Sequence, residues 1–99
     1  MSQKHIAIVI PFLNEEGNLP ELYRRVSAVF EKEPEEVRFV FVDDGSTDGS
    51  VQWLEKTRQN DPRVGILQLS RNFGHQIAIT AGMDYADADA VVIIDADLQ

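Results

Sequence analysis

Four short apolar runs alternate with three longer segments of helical character. The runs are Ile6-Ala7-Ile8-Val9-Ile10, Val37-Arg38-Phe39-Val40-Phe41-Val42, Val64-Gly65-Ile66-Leu67-Gln68-Leu69 and Ala90-Val91-Val92-Ile93-Ile94. Runs that are rich in β-branched residues and nearly continuous suit parallel strands covered on both faces. Between the first two runs, Leu19, Leu22, Tyr23, Val26, Val29 and Phe30 recur at offsets 0, 3, 4, 7, 10 and 11, one stripe of a helix. Asn18 with Glu21 three residues later has the form of a capping box at its start. A second helix is expected from Asp48 or Ser50, turning Val51, Leu54 and Trp53 inward, and ending at Asn60-Asp61-Pro62. A third is expected over His75–Ala86, with Ala78, Ala81, Gly82 and Tyr85 on one side, its small residues letting it lie close to a sheet. The order βαβαβαβ implies a parallel α/β sheet with right-handed crossovers.

Composition narrows the chemistry. The chain has 99 residues, enough for one domain or part of one, and its 43% hydrophobic content supports a core. Seventeen acidic against nine basic residues give a net charge of −8. Such a chain is poorly suited to a nucleic-acid backbone, which is bound by cationic side chains that release counterions. A nucleotide ligand remains open if a metal supplies positive charge. There is no cysteine, and the two histidines are far apart, so neither a disulfide nor a zinc site is expected. The opening Met1-Ser2-Gln3-Lys4-His5 leads into five apolar residues before Pro11, too few for a signal peptide or membrane span. The expectation for this segment is a cytoplasmic location.

In a parallel sheet, the loops after the first, second and fourth strands emerge at one edge. Here they carry Pro11-Phe12-Leu13-Asn14-Glu15-Glu16, Asp43-Asp44-Gly45-Ser46-Thr47-Asp48 and Asp95-Ala96-Asp97-Leu98-Gln99. Acidic residues abutting buried strands are costly to desolvate and repel one another, and a divalent cation relieves both problems. Each cluster also has a plainer reading. Asp43-Asp44-Gly45-Ser46 could be a turn with helix caps. Asn14-Glu15-Glu16-Gly17 could be a polar loop whose acids favour a helix N-terminus. Arg71-Asn72-Phe73-Gly74 could be a surface loop, or Arg71 beside a helix N-terminus could contact an anion or base. His75 reads as exposed or capping.

Taken together, Ile8-Val9-Ile10-Pro11-x-x-Asn14-Glu15-Glu16, Phe41-Val42-Asp43-Asp44-Gly45-Ser46-Thr47-Asp48, Ser70-Arg71-Asn72-Phe73-Gly74 and Asp95-Ala96-Asp97-Leu98-Gln99 resemble the family 2 glycosyltransferases. Within that family the chain is most similar to the branch of dolichyl-phosphate mannose synthase and the bacterial polyprenyl-phosphate glycosyltransferases. The resemblance implies a Rossmann-like fold of the GT-A type, with residues 1–99 as its N-terminal, nucleotide-sugar-binding half and a strand order of 3-2-1-4. It implies that Pro11, Leu13 and Glu15 line a nucleoside pocket. Val42 and Asp44 hold base or ribose with Asp43 or Asp48 in support, Arg71 touches the base, and Ala96 packs near the ribose. Asp95 addresses ribose and metal, Asp97 carries the catalytic role and binds metal, and Gln99 is a further metal ligand. The implied cofactor is Mg²⁺ or Mn²⁺, the donor a UDP- or GDP-sugar, and the acceptor a polyprenyl phosphate, with inversion at the anomeric carbon. A polysaccharide or surface-glycan acceptor is the alternative.

An acceptor half, a catalytic base, arginines for the lipid phosphate and membrane helices would lie beyond Gln99. The parent is then expected at the cytoplasmic membrane face, and these 99 residues alone are expected to be inactive. Their fourth strand would lie at an open edge, inviting self-association or disorder over residues 90–99. A receiver-like Mg²⁺-binding module is disfavoured: its acidic pair follows the first strand and it needs a late lysine, whereas here the pair follows the second and no lysine comes after Lys56.

Overall fold

A computed structural model describes residues 5–31 and 36–96. The elements are β1 (His5–Phe12), α1 (Leu19–Phe30), β2 (Glu36–Asp43), α2 (Ser50–Asn60), β3 (Val64–Gln68), α3 (His75–Tyr85) and β4 (Ala90–Ile93). The four strands form one parallel sheet in the order β3-β2-β1-β4. The βαβ order and the expected strand order both stand.

The pleat sorts side chains onto two unlike faces. Ile8, Ile10 and Phe12 of β1 and Val37, Phe39 and Phe41 of β2 join Leu19, Leu22, Val26 and Leu54 in the larger core, on the side of α1 and α2. Ala7 and Val9 of β1 and Val40 and Val42 of β2 meet Ala78 of α3 on the other side. Bulky groups thus hold two helices off one face, while small ones let a single helix settle on the other. α3 comes very close to the sheet at Gly82: a Cβ there would lie 2.5 Å from Val9 Cγ1 and 2.9 Å from Val42 Cγ2.

Coverage on both faces holds for the central strands only. β3 and β4 are the sheet's edges, and Val92 and Ile93 of β4 are 37% and 42% exposed, because α3 packs mainly on β1 and β2 and α2 reaches toward β3. Three local expectations also change. Val29 is 66% exposed, since its direction on α1 falls at the rim of the stripe rather than its centre. Tyr85 is 57% exposed at the end of α3. Asn18 makes no side-chain cap, because its own backbone is already helical (φ −102°, ψ −25°), which turns its amide away from the first turn. Its Nδ2 instead donates to Glu15 Oε2 at 2.7 Å, and Glu21 pairs with Arg24 and Arg25.

At the sheet's far edge, Asp61 accepts hydrogen bonds from Tyr23 Oη and the Arg63 guanidinium, which also lies 5.2 Å from the centre of the Phe39 ring. This cluster ties α1 to the end of α2. The Arg63 hydrogen bonds hold the Asp61 carboxyl at a pKa of about 2. No helix among the described residues is long and apolar enough to cross a membrane.

Candidate functional site

The winding reverses between β1 and β4, since the chain steps outward to β2 and β3 and then returns to β1's other side. Open α/β sheets bind ligands at the carboxyl ends of the strands at this kind of point. A cleft of about 470 Å³ lies there, lined by Pro11, Phe12, Leu13 and Glu15 from the loop after β1, Asp44 after β2, Asn72, Gly74, His75 and Ala78 around the start of α3, and Asp95 and Ala96 after β4. That volume is in the range of small-ligand sites. Val9 pairs with Ile93, and Ile94 N donates to Val9 O at 3.0 Å, so continuing the register two residues brings Asp95 level with Pro11.

Six of the residues singled out from the sequence therefore meet on one cleft: Pro11, Leu13, Glu15, Asp44, Asp95 and Ala96. Two others do not line it. Val42 is fully buried beneath, where its Cγ2 packs on α3 at Gly82. Arg71 is exposed, and its guanidinium lies 4.8 Å from the centre of the Phe73 ring. Asp97 and Gln99 lie outside the described residues. Asn72, Gly74 and His75 line the cleft as well, a part the sequence reading did not assign them. The signal available for them was their position between the third strand and a helix, at the same sheet edge as the acidic loops.

Much of the acidic sequence serves to lock the loops together. Asn14, at φ 54°, donates its N–H to Ser46 Oγ at 2.9 Å, and its Oδ1 accepts from Thr47 N at 2.7 Å and Asp48 N at 3.2 Å. Glu15 N donates to the buried Ser50 Oγ, and Glu16 Oε1 accepts from Gly49 N. Asp43 Oδ1 accepts from Ser46 N at 2.8 Å, the turn-forming arrangement of an Asx residue. Asp48 accepts from Ser50 N and Glu16 N. Burial acts to raise its pKa, but hydrogen bonds from Ser50 and from backbone N–H groups outweigh that and hold the carboxyl below its ordinary value. For Asp43 the structure shows the turn role that the plainer reading allowed, while Asp48 holds backbone at the start of α2 and in the loop after β1.

Asp44 does something different. It is buried, yet opens onto the cleft, and it spans two loops. Its Oδ1 accepts from Phe73 N at 2.8 Å and its Oδ2 from Gly74 N at 3.0 Å. Next to it, Gly45 has φ 96°, and a Cβ there would lie 3.0 Å from Asn72 N, so backbone packs directly against backbone. The loop ahead of α3 is thereby strapped to the end of β2. Across the cleft, His75 Nε2 lies 3.4 Å from Asp95 Oδ1, and both side chains are more than half exposed.

A divalent cation calls for hard oxygen donors. Asp95 offers an accessible carboxylate at the cleft, which fits; among the described residues, no group of three or more His, Cys, Asp or Glu comes together as a complete ligand set.

Comparison with known proteins points the same way as the geometry. The profile described as "Glycosyl transferase family 2" matches residues 7–99. The chain is 52% identical over 98 residues to "Uncharacterized glycosyltransferase YkcC" of Bacillus subtilis (strain 168), covering 97% of this chain and 30% of that protein. It is 43% identical over 94 residues to "Bactoprenol glucosyl transferase" of Shigella phage SfV, covering 95% and 31%. To the "Undecaprenyl-phosphate 4-deoxy-4-formamido-L-arabinose transferase" of Pseudomonas fluorescens (strain Pf0-1) it is 44% identical over 96 residues, covering 95% and 28%. Among solved structures, S. aureus TarS 1-349 in complex with UDP superposes with a TM-score of 0.80 at 28% identity, over 94% of this chain and 27% of that one. The mannosyltransferase PcManGT of Pyrobaculum calidifontis, in complex with GDP-Man and Mn²⁺, superposes at 0.78 and 22% identity, over 97% and 28%, a likeness of fold. The chain thus spans about a third or less of the length of the relatives it matches.

Proposed function

Because the chain belongs to glycosyl transferase family 2, we propose that its 99 residues are the donor-binding half of an enzyme that moves a sugar from UDP- or GDP-sugar to a polyprenyl phosphate. The parent works at the cytoplasmic face of a membrane. One observation carries this reading: three loops separated in sequence bring Pro11, Leu13, Glu15, Asp44, Asp95 and Ala96 onto a single cleft at the reversal of the sheet. The acceptor follows from the relatives named for bactoprenol and undecaprenyl phosphate.

The chemistry assigns each residue a task. Pro11, Leu13 and Ala96 supply apolar walls for the flat base and the ribose. Glu15 and Asp44 are acceptor-only groups, matched to ribose hydroxyls and to a base N–H. Glu15 is steadied for this by Asn18, and Asp44 by the backbone it straps. Asp95 faces the diphosphate, where one anion would repel another, so Asp95 with Asp97 and Gln99 would hold Mg²⁺ or Mn²⁺. When bound, that ion supplies Lewis-acid stabilisation of charge on the departing diphosphate oxygen. In the transfer, a phosphate oxygen of the acceptor bonds to the anomeric carbon as the bond to the nucleoside diphosphate breaks. A single displacement inverts that carbon, and an acceptor that is already anionic makes little demand on a general base.

Calorimetry of the chain with UDP and with GDP, each with Mn²⁺, tests the reading. Saturable binding of either nucleotide is the expected result, and no heat from either at millimolar concentration would overturn it. Labelled donor incubated with the chain and a polyprenyl phosphate should give no transfer, because the acceptor side is supplied by the remainder of the parent.

A further inference from the structure

Resting on the donor-site reading above, we infer that Asn14 is a positioning residue: it clamps the loop after β1 to the loop after β2, so that Leu13 and Glu15 meet the nucleotide already in place. Leu13 and Glu15, the residues on either side of it, line the cleft, and Asn14 does not. Its polar groups turn to the neighbouring loop instead, where Oδ1 accepts from Thr47 N and Asp48 N and its N–H donates to Ser46 Oγ.

The backbone at Asn14 has φ 54°, in the left-handed region. Glycine enters that region most easily, and asparagine enters it as a single residue. A turn alone would be served by glycine. What asparagine adds is an acceptor that gathers the N–H groups of Thr47 and Asp48.

The stretch around Asn14 is held at both ends. Phe12 O accepts from Asp44 N at 3.0 Å, and Glu15 N donates to Ser50 Oγ at 3.2 Å. Among the described residues, the hydrogen bonds that tie the chain between these points to the loop after β2 are those of Asn14. They lie at the surface, so in the unliganded chain water takes their place when they are removed and the core is untouched. What is lost is order ahead of binding. Fixing the backbone of one residue at the moment of binding lowers affinity by roughly 5- to 30-fold. A clamp that served folding alone would act the other way, lowering the melting temperature and leaving the affinity of the folded chain as it was.

Calorimetry with UDP and with GDP, each with Mn²⁺, on the unsubstituted chain, Asn14→Gly and Asn14→Asp tests this, with melting temperatures measured alongside. Glycine keeps the backbone conformation and removes the acceptor, whereas aspartate keeps both. Asn14→Gly should weaken the better-bound nucleotide by roughly 5- to 30-fold at a nearly unchanged melting temperature. Asn14→Asp should restore the affinity to within about three-fold, the remainder being repulsion from Asp48 and Glu16. On a Glu15→Ala background, Asn14→Gly should cost less than it does alone, because part of what it positions is already gone. Equal affinity of Asn14→Gly and the unsubstituted chain, no recovery in Asn14→Asp, or strict additivity with Glu15→Ala overturns the inference while leaving the donor site standing. If Asn14→Gly does not fold, Ser46→Ala, which removes only the acceptor for Asn14 N, takes its place with an expected loss of roughly 2- to 5-fold, and no loss overturns the inference. Failure of the unsubstituted chain to bind either nucleotide overturns both readings.

Discussion

Replacing Gly82 with alanine should destabilise the chain, although alanine is the better helix former. In the middle of a helix the change from glycine is worth about 1 kcal/mol in favour of alanine. Against it stands geometry: the new methyl would lie 2.5 Å from Val9 Cγ1 and 2.9 Å from Val42 Cγ2, where carbon atoms prefer about 3.5–4.0 Å. Both valines are wholly buried, and β-branching leaves them little freedom to rotate away. Relief must come from lifting α3 by about 1 Å. Overpacking costs about 1–3 kcal/mol, and with both contacts below 3.0 Å the upper part of that range, about 2–3, applies, so after the helix gain the net loss expected is about 1–2 kcal/mol. Urea unfolding followed through the fluorescence of the single Trp53 reads it as a lower midpoint at unchanged slope. Gly17→Ala is the control, since nothing lies within 4 Å of its missing Cβ, and it should shift stability by less than about 0.5 kcal/mol. Val9→Ala should cost less in the Gly82→Ala background than alone, because the two changes share one space. A Gly82→Ala chain as stable as the unsubstituted one, or purely additive with Val9→Ala, would refute the close approach of α3.

Three further outcomes are expected. Hydrogen bonds from Arg63 hold the folded Asp61 carboxyl at about 2, below its ordinary 3.8, so its stabilisation is fully present above the unfolded value and is lost as pH falls from about 4 through about 2. Full conversion of that shift would give roughly 2 kcal/mol, and solvent screening around the half-exposed Arg63 reduces it to about 1; Asp61→Asn should flatten the acid limb of a urea-midpoint-against-pH curve by that amount. Asp95→Asn, or chelation with EDTA, should remove most of the Mn²⁺-dependent part of UDP or GDP affinity while leaving the metal-free part nearly unchanged by calorimetry. The open β4 edge, with Ile93 at 42% exposure, should drive concentration-dependent association, and Ile93→Lys should return the chain to monomer in light scattering; an unsubstituted chain that stays monomeric throughout would exclude that edge as a contact.

The strands and their order of appearance were legible because their residues are β-branched and continuous, a pattern that a half-exposed or helical segment does not share. The helix starts at Ser50 and His75 fell where the turn-forming residues before them allow. Errors fell at rims. Val29 sits at the margin of the α1 stripe and Tyr85 at the end of α3, and periodicity cannot say how wide the covering layer is. Asn18 and Glu21 have the spacing of a capping box, but a helical backbone at Asn18 sends its amide to Glu15 instead. At the site, residue types and loop positions were visible for Pro11, Leu13, Glu15, Asp44, Asp95 and Ala96. Asn72 was not singled out, because nothing in a lone asparagine says that its oxygen takes up Gly74 N at the rim of a cleft.

From the amino acids alone came the alternation of strand and helix, the acidic character of one sheet edge and the small residues on α3, since each depends on local pattern and chemical type. Only the tertiary structure separated acids that hold backbone, such as Asp43 and Asp48, from those that open onto the cleft. The physical reason is that a carboxylate's role is set by which N–H groups reach it first: for Asp43 the donor is three residues on, whereas for Asp44, and in part for Asp48, donors come from loops about 30 residues away.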